Sequence, residues 1–553
     1  MSRHAAPGTA FESVRVGRHR APEPGLPFGI DEVTQTLVYT DDPTQPIASR
    51  PALVAAAVDV AVDEELGRQV KHGLKWSFVN NVVSRAGQVV VGIVLARLLT
   101  PYDYGVFAAA LIAYAVLISC SELGVTVALV SRRGDSRTIG PTVTSLSWAS
   151  GAVLTIAIWL TAPTIADHLH TPAAAGVLRV LGLAIFVAGL SAAPSAIVQR
   201  DFQQRTRFAA DTANFVVSTV VAIVGVALGG GALALAWSRV AGNAVAAVIV
   251  VLAARERYRP GWNRAVAKDL LAFGLPLTGA SALAFAVLNV DYVVVAGVLG
   301  PVALGYYLIA FNLSSFPVTA FSTVVRSVSL PAFGRLRDRP DQAGPAFVDA
   351  TRLLVLVSAP VAVLLAVLGR PLIDFLYGSV WVPAALPLAF LAGLGLFRVF
   401  HELGYDYLTA RGKPRLVLLI QLGWLVALGV LLPVGAHLRA LPGIGIGHLI
   451  AAFGLVLPAY LLVLRRYDIA LGPLLRVVLR PVLGAAATAA VALAARFGFT
   501  HPLPELLVGG AGGVLVYLAV VGPQLPGRFQ ALSPWSWLRM PRPARITRIE
   551  ETG

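Results

Sequence analysis

The sequence predicts an all-α, polytopic membrane protein with about 14 transmembrane helices. Two six-helix lobes, related by a pseudo-two-fold axis along the membrane normal, are followed by two extra C-terminal helices. Three observations predict this. The 553 residues are 57% hydrophobic and only 13% charged, too little charge to cover a soluble protein of this length. Many apolar runs exceed the ~20 residues that cross a bilayer core, and they lack the period-two alternation of a membrane barrel. Finally, a short turn occurs twice: "ARLLTPYDYG" (96–105) and "AGVLGPVALG" (296–305) share Ala, Leu, Pro and Gly at an offset of 200.

Residues 1 to about 50 are rich in Pro, Gly and charge and have no periodic apolar face, as in a disordered cytoplasmic tail. No apolar core follows the early arginines, so a signal peptide is not expected. A helix at 51–70 is expected to lead into the membrane, completing an N-terminal segment 1–70. The N-lobe, 71–260, holds spans at 75–98, 103–128, 138–160, 174–196, 208–229 and 232–253. The C-lobe, 261–468, holds spans at 270–297, 303–325, 351–369, 384–409, 415–435 and 444–464. Spans at 474–496 and 503–522 make a C-terminal pair (469–524), and 525–553 is a basic tail.

The loop charges set the topology. Residues 1–70 carry −4 and the rest of the chain +19. Nearly all those arginines fall in alternate loops, from Arg132, Arg133 and Arg137 through Arg200, Arg205 and Arg207 to Arg465 and Arg466. The other loops hold Arg97, Arg370, Arg439 and Arg496, one each and close to span ends. Lys/Arg-rich loops face the cytoplasm, which puts both termini of this multi-pass protein inside. The piece "WSWLRMPRPARITR" in the tail would lie on anionic membrane lipids of the inner leaflet. Arginines in membrane loops signal topology, not a nucleic-acid partner.

Both copies of the repeated turn then join an odd span to an even one on the outer face, with six spans between them. An even number preserves orientation, so the halves are parallel repeats, and a site is expected between the lobes near the midplane. Pro101 and Pro301 break the helices, and Gly105 and Gly305 permit close packing. The turns read as stiff outer corners, with a plain turn as the simpler reading. Of the glycine-rich pieces, "GGG" (229–231) reads as a tight turn, "GGAGG" (509–513) as close helix packing and "PGIGIG" (442–447) as a loop. None has the pattern of a phosphate cradle. Cys120 is the only cysteine and reads as a small apolar helix residue. Metal and nucleotide motifs are missing, so no cofactor and no metal is expected.

Ionisable residues inside spans are costly and face a cavity or a partner. Arg85 is near mid-bilayer in the first span, with Asn81 and Gln88 close to its face. Arg239 gives the sixth span a smaller polar face with Ser238 and Asn243, nearer the outer end. In the tenth span Arg398, His401, Glu402, Tyr405 and Asp406 share one face by helical spacing. Two readings of that face stand: Arg398 and Glu402 neutralise each other, or Arg398 meets an anionic substrate while Glu402 or His401 exchanges a proton. Asp406 and, in the seventh span, Asp291 are further candidates for proton or cation coupling; Asp291 could also pair with an arginine. Three deep arginines, Arg85, Arg239 and Arg398, suit a di-anionic headgroup such as a pyrophosphate better than a cationic drug.

The segments "LARLLTPYDYG" (95–105), "SELGVTVALVSR" (121–132), "VQRDFQQRTRF" (198–208), "NVDYVVVAGVLGPVALGYYLIA" (289–310), "LIDFLYGSVW" (372–381) and "LTARGKPR" (408–415) occur in a recognisable order and spacing. In them the chain resembles the bacterial polysaccharide transporters, the oligosaccharide or O-antigen-type flippases of the multidrug/oligosaccharidyl-lipid/polysaccharide exporter superfamily. The likeness runs from about Gly73 to Arg480. It implies a V-shaped, two-lobed fold, alternating access, and movement of undecaprenyl-pyrophosphate-linked oligosaccharide across the membrane, with no enzymatic step. A polysaccharide polymerase and glycosyltransferases would be partners. Ser84–Arg85 also resembles the first-helix arginine of the lipid II flippase branch. That branch has a second basic residue six positions later, where this chain has Val91. Two alternatives stand beside this: a multidrug/cation antiporter of the same superfamily, or a membrane polysaccharide polymerase or ligase. The antiporter would prefer acidic cavity residues, and the enzyme would need a large catalytic outer loop.

Overall fold

A computed structural model describes residues 87–522, apart from 122–128, 130–135, 202, 255, 257, 337–339, 468 and 500. All of these lie in the unit Asn80–Gly553. The tail helix at 51–70, most of the first span with Asn81 and Arg85, and the basic tail fall outside the described residues. No β-strand occurs among those described.

The helices follow the apolar runs. In the first half they are α1 (Gly87–Leu98), α2 (Pro101–Ser121), α3 (Ser136–His168), α4 (Ala174–Arg200), α5 (Gln204–Ala227) and α6 (Gly231–Ala253). The second half has α7 (Arg264–Leu288), α8 (Val290–Arg335), α9 (Pro340–Val367), the short α10 (Gly369–Tyr377) and α11 (Ala385–Ala410). It continues with α12 (Pro414–Leu449), which runs through a π-helical stretch, Ile450–Val456, into α13 (Leu457–Arg466). The chain's last described helices are α14 (Leu471–Gly498) and α15 (Pro502–Val521). Eleven of the described helices are long and apolar enough to cross a membrane, counting Pro414–Arg466 as one. That one, 53 residues long, turns at Arg439–Ala440, where the backbone leaves helical geometry. It therefore supplies the two spans read at 415–435 and 444–464. The span read at 270–297 is made of α7 and the start of α8, which breaks at Gly300 (φ 78°), a conformation open to glycine.

Lipid-facing stripes are visible in the side chains. Val216, Val220 and Val224 on α5, and Val426, Val430, Val434 and Leu438 on α12, recur every four residues and are exposed. A helix that shows large apolar groups outward along one stripe is solvated by lipid. Inward faces use small residues and hydroxyls, as in-membrane packing requires. Thr155 Oγ1 donates to the Gly182 carbonyl at 2.8 Å, joining α3 to α4. On α15, Gly509 and Gly513 of "GGAGG" let Ala495 and Thr488 of α14 approach, as that sequence predicts.

"PGIGIG" is not a loop. Residues 442–447 are helical, and Gly443, Gly445 and Gly447 are buried. Pro442 falls early in the helix that restarts after the Arg439–Ala440 break, where its missing N–H is not needed. Gly443 then packs against Gly435, and a Cβ on either would run into the other's carbonyl oxygen. "GGG" is the expected tight turn, with Gly229 and Gly231 at positive φ.

Helix α8 packs on both α2 and α11, so it links the first half to the second, and α14 packs on α9 and α15. The connection 254–263 is pinned to the first half. Arg200 bonds Glu256 (3.3 Å), Ser145 Oγ donates to the Gly261 carbonyl (2.9 Å), and the Asn263 amide donates to Thr142 Oγ1 (3.2 Å). Asn263 Oδ1 then caps α7 by accepting from the amides of Ala265 and Val266.

Candidate functional site

The two repeated turns touch each other. A Cβ on Gly105 would strike the Pro301 carbonyl oxygen, and a Cβ on Gly305 would strike the Pro101 carbonyl oxygen. The contact is reciprocal and leaves no room for a side chain on either glycine. The first turn is built by local rules: Thr100 caps α2, accepting from the Asp103 amide (3.2 Å) and donating to the Asp103 carboxylate (2.6 Å), with Pro101 opening the helix.

Beside this contact lies a second set of bonds. Arg97 donates to the carbonyls of Leu376 (2.7 Å) and Phe375 (2.5 Å), at the C-terminal end of α10, where a cation is favoured by the helix dipole. Trp381, 1% exposed, donates through Nε1 to the Ala96 carbonyl (2.8 Å). Its ring stands edge-on to Tyr104 (5.5 Å) and Tyr306 (6.1 Å). Residues 96–105, 301–306 and 375–381 thus meet at one end of the helix bundle.

Deeper along the second half, the polar groups are held by aromatic rings. Arg398, half-buried in the middle of α11, sets its guanidinium over the Phe311 ring at 5.1 Å. No ion pair joins it to Glu402. Phe311 also packs on Tyr292 (5.2 Å) and Tyr307 (6.2 Å). Tyr307 donates to Asp291 Oδ2 at 2.7 Å, and Asp291 Oδ1 accepts the Tyr292 amide at 3.0 Å. Tyr307 therefore accepts from His448 Nε2–H (3.1 Å), and His448 Nδ1 has no hydrogen-bond partner. His448 Nε2 is 3.7 Å from Asp291 Oδ2. Both residues are about 4% exposed. Arg398 is within electrostatic reach of Tyr292, Tyr307 and His448.

His401 belongs to a different cluster. It is buried against Trp424 (4.9 Å) and Tyr460 (5.3 Å), and its Nε2, the Trp424 Nε1 and the Tyr460 hydroxyl have no hydrogen-bond partner. Asp406 is buried and Glu402 half-buried. The shared face read for the tenth span is thus divided. Arg398 joins the α8–α12 cluster, and His401 faces α12 and α13.

The first half offers a softer site. A 350 Å³ pocket among α2, α4, α5 and α6 is lined by Tyr114, Ser191, Gln199, Arg207, Asp211 and Asn243, with Arg207 and Asp211 4.0 Å apart. Asn243 accepts from Asn214 Nδ2 at 3.0 Å. Arg239 is exposed beside this region, within electrostatic reach of Tyr114, and Gln88 is exposed on α1. Sequence reasoning did not find Tyr307, His448, Trp381 or Arg97. Tyr307, Trp381 and Arg97 stand in quoted segments, but nothing in the sequence says that Trp381 bonds a residue 285 positions away. No group of three or more His, Cys, Asp or Glu among the described residues could hold a metal ion.

Residues 94–386 match the polysaccharide biosynthesis protein family. The lipopolysaccharide biosynthesis protein WzxC of Escherichia coli is 24% identical over 328 residues, covering 59% of this chain and 67% of that protein. The succinoglycan biosynthesis transport protein ExoT of Rhizobium meliloti is 26% identical over 338 residues, covering 59% of this chain and 66% of ExoT. Among solved structures, the lipid II flippase MurJ in an inward closed conformation superposes with a TM-score of 0.66 at 15% identity, over 81% of this chain and 98% of MurJ. At that identity the likeness is one of fold.

Proposed function

Because this chain belongs to the polysaccharide biosynthesis protein family, we propose that it is a flippase. It would carry lipid-linked oligosaccharide units, joined to a polyprenyl chain through pyrophosphate, across the bacterial cytoplasmic membrane. The observation that carries this reading is Arg398. It is a mid-span cation set over an aromatic ring and not neutralised by Glu402, in a chain whose relatives are named for polysaccharide biosynthesis and transport. A fixed guanidinium in a low-dielectric span attracts phosphate and repels cationic drugs. The chain is expected to act by transport alone. Glycosyl transfer would supply the substrate on one face, and polymerisation would consume it on the other.

The closed turn end supports alternating access. By the loop charges it is the outer end, so the headgroup would enter from the arginine-rich inner end, past the Asn243 pocket, and reach Arg398. The lipid tail stays in the bilayer. Opening the outer end requires parting Gly105 from Gly305 and releasing Arg97 and Trp381 from their carbonyls.

Asp291 is well placed to couple that opening to a proton. Asp291 and Tyr307 flank the Gly300 break, so their hydrogen bond ties the two arms of α8 beside the turn. A proton taken up by the Asp291 carboxylate would weaken its hold on Tyr307 and His448 and loosen that corner. The charged and titratable groups facing it are Arg398, His448, Tyr307 and Tyr292. Glu402, His401 and Asp406 are second candidates for coupling. Proteoliposomes test the substrate class. Flipping of a labelled pyrophosphate-linked oligosaccharide lipid, with no transport of a cationic dye, is the expected outcome. Dye transport without lipid flipping would favour the antiporter.

A further inference from the structure

A 740 Å³ cleft opens at the turn end of the bundle, beside the Tyr306–Trp381 contact and apart from Arg398 and Asp291. Its walls come from five places: the start of α8, the α9–α10 junction, the start of α11, the break in α12 and the end of α14. The lining is mainly carbon, including Val302, Leu386 and Leu441. Two cations interrupt it, Arg370 and Arg496, and these are the only ionisable lining groups apart from the Tyr306 phenol. Both arginines are exposed, and neither has a hydrogen bond or ion pair with any described residue. Each guanidinium carries five N–H donors, and none of these has an acceptor among the described residues.

One acid lies nearby. Glu505, in the first turn of α15, is 8% exposed, and its Oε1 has no hydrogen-bond partner. Its charge is within electrostatic reach of both arginines. Two guanidiniums in the lining, with the Glu505 carboxyl outside it, leave the cleft with a net positive charge. The fitting occupant is an amphiphile with one negative charge: the charge belongs at the mouth and the apolar part along the slot. The volume is within the ~300–1,000 Å³ that small-molecule pockets occupy, enough for a phosphate and part of one chain. A free inorganic anion would leave the carbon walls uncovered.

We propose that this cleft is a phospholipid site, in which Arg370 and Arg496 hold the phosphodiester of an anionic phospholipid and one of its chains lies along Val302, Leu386 and Leu441. Forked guanidiniums suit a phosphodiester, and at the end of the spans they stand at headgroup depth. The cleft also borders Val382 and Pro383, next to Trp381, so an occupied cleft backs the bonds that close this end. The inference is independent of what the protein transports.

The test uses the full chain, purified and exchanged into mixed phosphatidylglycerol and phosphatidylcholine, with bound lipid read by native mass spectrometry. The wild type should retain phosphatidylglycerol over phosphatidylcholine by about tenfold or more after delipidation. The double variant Arg370→Gln/Arg496→Gln should lose that preference, whereas Arg179→Gln, an exposed arginine outside the cleft, should keep it. Leu386→Trp fills the slot but leaves both arginines, and should also lower retention. Equal retention by wild type and double variant would overturn the site. Stronger retention of an added polyprenyl phosphate at these arginines would overturn its assignment to phospholipid.

Discussion

The two halves of this protein bury different chemistry. In the first half, the polar side chains buried among the described residues are hydroxyls: Thr142, Thr144, Ser147, Ser150, Thr171 and Ser238. In the second half they include Asp291, His401, Asp406 and His448. A hydroxyl can bond the preceding turn of its own helix, as Thr144 does on Gly140 (2.9 Å), and costs less inside a membrane than a charge. A buried carboxylate or imidazole is expensive and is kept where it changes state. Among the described residues, the first half thus buries hydroxyls and keeps its charged groups at least partly exposed or at a pocket wall, whereas the second half buries ionisable side chains.

That comparison can be broken experimentally. The largest effect is expected from Asp291→Asn, which keeps an acceptor for Tyr307 but cannot take up a proton. Flipping in proteoliposomes should fall by about tenfold or more and no longer respond to an imposed pH gradient. A response equal to wild type would remove Asp291 from coupling. Next is Gly305→Val, which forces a side chain into the Pro101 carbonyl. Overpacking costs ~1–3 kcal/mol, so the closed end should open by roughly five- to a hundredfold. Labelling of Tyr104→Cys, in a Cys120→Ser background, would report it. Trp381→Phe keeps an aromatic ring in this buried place but loses the bond to Ala96 and part of the indole's volume. At about 1 kcal/mol per hydrogen bond the same labelling should rise only about fivefold. The smallest effect should come from the first half. Ser191→Ala or Asn243→Ala should weaken apparent substrate affinity about three- to tenfold, by ~0.5–1.5 kcal/mol per lost bond, and leave the response to the pH gradient intact. A lost pH response there would erase the distinction between the halves.

Much of the fold was legible because span length and loop charge are local signals. Most helices from α2 to α15 overlap the apolar runs, although the run 270–297 is divided between α7 and α8 and the short α10 was not read; the turn at Gly229–Gly231 and the packing of "GGAGG" follow from glycine alone. "PGIGIG" misled because proline and three glycines resemble a loop, while in a membrane the same residues make a helix that another can approach closely. The site was less legible. Arg398 stood out as a charge in a hydrophobic helix. His448 and Tyr307 did not, since a lone histidine and a tyrosine in apolar runs carry no pattern, and they meet across 141 residues. The repeated turn was visible as a repeat, but only the fold shows that its two copies touch and close one end of the bundle.

The account rests most heavily on Arg398 as the cation that meets the anionic headgroup. The direct measurement is the flipping of a pyrophosphate-linked oligosaccharide lipid in proteoliposomes by wild type, Arg398→Lys and Arg398→Gln, each confirmed to be folded. The account predicts loss of about tenfold or more in Arg398→Gln and partial retention in Arg398→Lys, which keeps the charge but not the fork. Flipping by Arg398→Gln at the wild-type rate would contradict it.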